Sequence, residues 1–137
     1  DIGVSRGLGD VYKRQEQLLP FTKHLNEKLT KRMNEKWPGP HTWLVPSSSE
    51  TPKWLLGPTG LLALRLSNHK TVKKLTKSLN MPICSTSANI SGKEPAKDSD
   101  EIRTFFYDKV HIIEGKLGGL KKPTPVQNLE SKEWLRK

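Results

Sequence analysis

The apolar residues of this chain come in short bursts, and the period of those bursts alternates. Thr42-Trp43-Leu44-Val45, Leu61 to Leu66, Met81-Pro82-Ile83-Cys84, Val110 to Ile113, Val126 to Leu129 and Trp134 to Arg136 have the length and composition of strands. Between them the period lengthens. Leu18, Phe21, Leu25, Leu29 and Met33 recur at steps of three and four, as one face of a helix does. Val72, Leu75 and Leu79 do the same after Asn68, a residue suited to capping. Asp98 or Ser99 is placed to cap a further helix through Phe106, with Glu101 in its first turn. Strands that alternate with helices predict an α/β domain. Trp37-Pro38-Gly39-Pro40 predicts a rigid turn between the first helix and the first strand.

A chain of 137 residues fits one domain, and 33% hydrophobic residues with a mean hydropathy of −0.67 predict a lean core. No apolar run approaches the ~20 residues of a membrane span. Cys84 is the one cysteine, so no intrachain disulfide forms. A cytosolic setting is the simplest fit, and Cys84 reads as a small buried strand residue. Trp37, Trp43, Trp54 and Trp134 read as packing residues. The net charge is +10, from 24 Lys and Arg against 14 Asp and Glu. Two readings fit it: a field that attracts polyanions, or a solvated lysine-rich surface. No zinc spacing, P-loop or Gly-x-Gly-x-x-Gly pattern occurs, and the four histidines do not cluster in sequence with Cys84 or an acid.

The chemistry-bearing residues stand at the ends of predicted strands. Ser85-Thr86-Ser87-Ala88-Asn89-Ile90-Ser91-Gly92 is small and polar. Such a stretch either closes a strand as a turn or lets backbone amides and hydroxyls approach a ligand. Alternation puts Ser85 and Ser87 on the same face. Arg65 stands inside an otherwise apolar run, where a guanidinium is costly to bury without a partner. Its planar fork suits a carboxylate; alternatively, its stem packs and its head reaches water.

These segments together resemble the YrdC/Sua5 family of threonylcarbamoyl-AMP synthases. The resemblance rests on Trp37-Pro38-Gly39-Pro40-His41-Thr42, then Arg65-Leu66-Ser67-Asn68-His69, then the octet from Ser85 to Gly92, in that order. Thr51-Pro52-Lys53-Trp54-Leu55-Leu56-Gly57 and Glu133-Trp134-Leu135-Arg136 resemble the short bacterial branch. The resemblance implies a twisted mixed sheet flanked by helices. It implies a nucleotidyltransferase that joins L-threonine, bicarbonate and ATP, with magnesium, into threonylcarbamoyl-AMP and pyrophosphate. The product then passes to a separate transferase complex that modifies tRNA. By the same resemblance Arg65 and Ser85 hold threonine, while Ser87, Asn89 and Arg136 hold the nucleotide. No side chain is assigned to covalent catalysis, because such a reaction needs positioning and charge stabilisation. Leu61 and Pro95 depart from the Thr and Ser of longer members, which leaves two nucleotide contacts without a counterpart.

Ser5 to Gln15 looks like a translated transposase sequencing adapter. Residues 1–15 are therefore expected to be foreign and to stand off the domain, with 16–137 as a partial YrdC-like domain. An upstream Pro-Thr-Glu loop and a Lys-x-Arg motif of the family are then expected to be lacking, and this chain alone to be inactive. The rival reading is a YrdC-like module without catalysis that binds double-stranded RNA or tRNA on a basic face.

Overall fold

The computed structural model describes residues 11, 13–115 and 122–137. They fall into two compact units. The first runs to Pro82 and resumes at residue 122; the second runs from Ile83 to residue 115.

The first unit is built on four strands. β1 (Thr42–Pro46), β2 (Leu61–Leu64), β3 (Val126–Asn128) and β4 (Trp134–Arg136) lie in the order β2-β1-β3-β4. β1 is antiparallel to β2 and parallel to β3, and β4 is antiparallel to β3. The expected mixed sheet is therefore present. Alternation along the strands sorts their faces. Trp43, Val45, Leu62 and Leu64 face the core, while Ala63 on β2 is exposed. Leu44 is buried too, so β1 is covered on both sides, as a central strand should be.

One predicted helix proves to be several pieces. Residues 13–18 form helix α1, which tightens into a 3-10 turn at Leu19–Phe21 around Pro20. The chain then runs extended, because Thr22 bridges Ser47 and the Lys23 amide donates to the Pro46 carbonyl at 3.0 Å. Helix α2 (Glu27–Asn34) starts afresh under Asn26, whose side chain accepts from the Leu29 amide at 2.9 Å. The apolar set is nevertheless as predicted. Leu18 and Met33 are buried, and Phe21, Leu25 and Leu29 pack against the same core.

The expectation that residues 1–15 stand off the domain fails where that segment is described. Arg14 and Gln15 are 4% and 6% exposed. Arg14 Nη1 donates to the Ser67 carbonyl at 2.7 Å, Gln15 Nε2 reaches Met33 Sδ at 3.7 Å, and Val11 packs on the core. An amphipathic turn one helical step before Leu18 finds the same groove whatever its origin. Leu8 and Tyr12, the other residues expected to lie free, fall outside the described residues.

Helix α3 (Lys70–Leu79) occupies its predicted span, but His69 caps it in place of Asn68. His69 Nδ1 accepts from the Thr71 amide at 3.2 Å. Leu79, expected inward, is 53% exposed. Asn80 closes the helix in the left-handed conformation at φ 52°. Of the four tryptophans, Trp37 and Trp43 are buried and Trp134, though 44% exposed, sets its ring against His41, whereas Trp54 is 75% exposed and does not pack as expected.

In the second unit, helix α4 (Ser99–Phe106) begins as predicted. Asp98 Oδ1 accepts from the Glu101 amide and Glu101 Oε2 accepts from the Lys97 amide, both at 2.8 Å. The strand expected at Met81 to Cys84 does not form, and Cys84 is exposed rather than buried. The strand expected at Val110 to Ile113 is likewise absent. An apolar run becomes a strand only when a neighbour takes its backbone hydrogen bonds, and no described residue pairs with either run.

Candidate substrate-binding residues

The turn at Trp37 to Thr42 and the end of β2 form one local structure. The Gly39 amide donates to the Leu66 carbonyl at 2.9 Å, and Trp37 Nε1 donates to the His41 carbonyl at 2.8 Å. Gly39 has φ 156°, and a Cβ there would stand 3.1 Å from the Lys36 carbonyl oxygen, so the turn requires glycine. This clasp sets where β2 stops and hence where Arg65 leaves the sheet.

Arg65 is exposed and lies one residue past β2, not buried within a strand. The register explains its direction. Leu64 pairs with Trp43, so Arg65 continues opposite Thr42; Thr42 pairs with Val126, and Val126 pairs with Arg136. Residues in one cross-strand row share a face. Arg65 and Arg136 thus leave the two edges of the sheet on the same side. Thr124, two residues before Val126, adopts that side too. Arg65 Nη1 donates to Thr124 Oγ1 at 2.7 Å, and Arg136 Nε and Nη2 donate to the Thr124 carbonyl at 2.9 and 2.7 Å. The ion pairs among the described residues join Arg103 to Asp100 and Glu114; neither Arg65 nor Arg136 takes part. Each guanidinium keeps N–H donors beyond those bonds, the kind of group that suits a planar anion.

Sequence reasoning named both arginines and missed Thr124. Its signal was the hydroxyl residue between Pro123 and Pro125, which read only as part of a loop.

The octet lies in the second unit. Ser85 and Ser87 are exposed and Asn89 is half-buried. Ser87 Oγ donates to Asn89 Oδ1. Asn89 Nδ2 donates to the carbonyls of Ile90 and Lys93 at 3.1 and 3.0 Å. Ala96 closes the loop by donating its amide to Ala88 at 2.7 Å. The structure joins Ser87 to Asn89 but gives Ser85 no hydrogen bond with them. Asn89 spends its amide group on folding the loop, and Ser85 and Ser87 stay open to solvent.

His41, in the turn motif, is buried against Trp43, with ring centroids 4.3 Å apart, and meets Trp134 edge-on at 5.8 Å. Burial first, and the Lys36 charge second, lower its pKa below the ordinary 6.5; a side-chain hydrogen bond with Gln127 works the other way. Its Nε2 is buried without a hydrogen-bond partner among the described residues, which also favours the neutral ring.

The mixed sheet flanked by helices defines an α/β protein. The comparisons are more specific. A family model for Sua5, YciO and YrdC, described as "Telomere recombination", matches residues 6–137. The threonylcarbamoyl-AMP synthase of Pseudoalteromonas atlantica is 39% identical over 135 residues, which cover 97% of this chain and 72% of the relative. That of Photorhabdus laumondii is 40% identical over 133 residues, 96% of this chain and 70% of the relative. Sua5 of P. abyssi, solved in complex with L-threonine, superposes with a TM-score of 0.75 at 31% identity, covering 85% of this chain. E. coli YciO shares the fold, with a TM-score of 0.71 and 24% identity over 90% of this chain. The chain belongs to the Sua5/YciO/YrdC family. It spans 34% of the solved Sua5 chain.

Proposed function

We propose that this chain is the catalytic domain, in whole or in part, of a threonylcarbamoyl-AMP synthase. Threonine's amine attacks the bicarbonate carbon and water leaves, giving a carbamate, whose carboxylate oxygen displaces pyrophosphate at the α-phosphorus of ATP. Every reactant is anionic or carries a carboxylate, so the protein's part is to gather negative charge and hold it in line. Arg65 and Ser85 take the threonine, and Arg136 and Ser87 take the nucleotide. Asn89 holds the loop in which Ser87 stands. The observation that supports this reading most is the pair of arginines on Thr124 without an acid, in a chain 39% identical to such a synthase.

Magnesium accompanies ATP in this proposal, and the described residues do not form a cage for it. Among the described residues no three His, Cys, Asp or Glu gather as ligands. The ion then arrives on the triphosphate, and no step is assigned to it. No helix among the described residues is long and apolar enough to cross a membrane. We place the protein in the cytoplasm, upstream of a transferase that acts on tRNA, and its +10 charge is suited to RNA.

The test is pyrophosphate release from ATP with threonine and bicarbonate. It is run on a chimera in which this chain replaces the matched part of the Pseudoalteromonas atlantica synthase, 72% of that relative. Release by the chimera that requires all three substrates is the expected result. A chimera that binds tRNA and releases no pyrophosphate overturns the proposal in favour of the RNA-binding module.

A further inference from the structure

We propose that Thr124 is a positioning residue that sets the spacing of the Arg65 and Arg136 guanidiniums. The strands that carry them are three spacings apart, roughly 14 Å across the sheet. Two arginines at that separation ordinarily wave in water independently, each with large rotamer entropy. Here both fold back over the sheet end to one residue. The Thr124 hydroxyl accepts from Arg65, and the Thr124 carbonyl accepts twice from Arg136. Pro123 and Pro125 flank it. Proline after Thr124 holds its backbone extended, and proline before it removes a rotatable φ, so the anchor itself is stiff. Thr124 thereby acts on substrate through the arginines.

The two anchors differ chemically, which makes the inference testable. Removing the hydroxyl frees Arg65 and leaves Arg136 held, since its acceptor is backbone. The functional half of the inference rests on the reading of Arg65 as the threonine-binding arginine; the positional half does not.

The experiment compares wild type with Thr124→Val and Thr124→Ser in the full 137-residue chain. Arginine side-chain NMR reports guanidinium rotation, and calorimetry reports L-threonine binding. In T124V the Arg65 Nη signals should show fast rotation while those of Arg136 stay hindered, and T124S should restore Arg65. Threonine affinity should fall by up to about tenfold in T124V and recover in T124S, the cost of ordering one arginine side chain on binding. Adenine-nucleotide affinity should move less than about twofold, because Arg136 is untouched. Unchanged Arg65 rotation in T124V overturns the proposal, and so does loss of Arg65 order in T124S. If rotation behaves as expected but wild type takes up no threonine, the positioning stands and the threonine reading of Arg65 falls. Should T124V fail to fold, T124A replaces it, with the same outcomes.

Discussion

At the residue scale, the decisive property of Arg65 is that it stands one position beyond its strand. It continues the face on which Ala63 is exposed, and from there it reaches Thr124. Arg65→Ala is expected to lower L-threonine affinity at least tenfold, about what loss of a bidentate charged contact costs. Arg65→Lys should recover little, because a point charge cannot reproduce the fork. Calorimetry with L-threonine checks both. His41 makes a prediction of a different kind. Its folded pKa lies below 6.5, so the unfolded chain takes up the proton first as pH falls. The unfolded state then binds more protons, and stability declines as pH drops through about 6.5, levelling off below the folded pKa. Urea titrations from pH about 7.5 down to about 5 should show that slope, and His41→Gln should flatten it.

At the element scale, caps decided boundaries that periodicity left open. Leu18 to Met33 reads as one amphipathic stripe, and all its apolar members do reach the core. Pro20 and the Asn26 cap nonetheless divide it, because a polar side chain that accepts from the third amide onward starts a new helix wherever it stands. The same logic made α4 predictable, with Asp98 rather than Ser99 serving as the cap. Asp98→Ala should destabilise α4 by about 1 kcal/mol, seen as faster amide exchange over 99–106 with little change in the first unit. The loop from Ser87 to Lys93 depends in the same way on Asn89. Asn89→Ala removes the two donors that reach Ile90 and Lys93, and should broaden the loop's NMR signals even without ligand. An Asn89 that acts only by touching nucleotide would leave the free loop unchanged.

At the scale of the whole molecule, the lean composition concentrates stability in few residues. Met33 is fully buried, and its backbone carbonyl accepts from Trp43 Nε1 at 3.3 Å, so α2 and the sheet meet there. Met33→Ala should cost about 2–5 kcal/mol in denaturant titration, a large share of what a domain of this size possesses. The sequence alone determined the α/β class, the strands β1 to β4 and the helices α3 and α4. These follow from local period, turn residues and motif order, which each segment carries within itself. Only the tertiary structure decided that Met81 to Cys84 and Val110 to Ile113 are not strands, since pairing is a property of a neighbour and not of the run. Only it decided that Arg14 and Gln15 belong to the packed domain, since burial depends on what groove lies near. And only strand register could bring Arg65, Thr124 and Arg136 together: they are far apart along the chain, and a shift of one residue in any strand would turn a side chain to the other face.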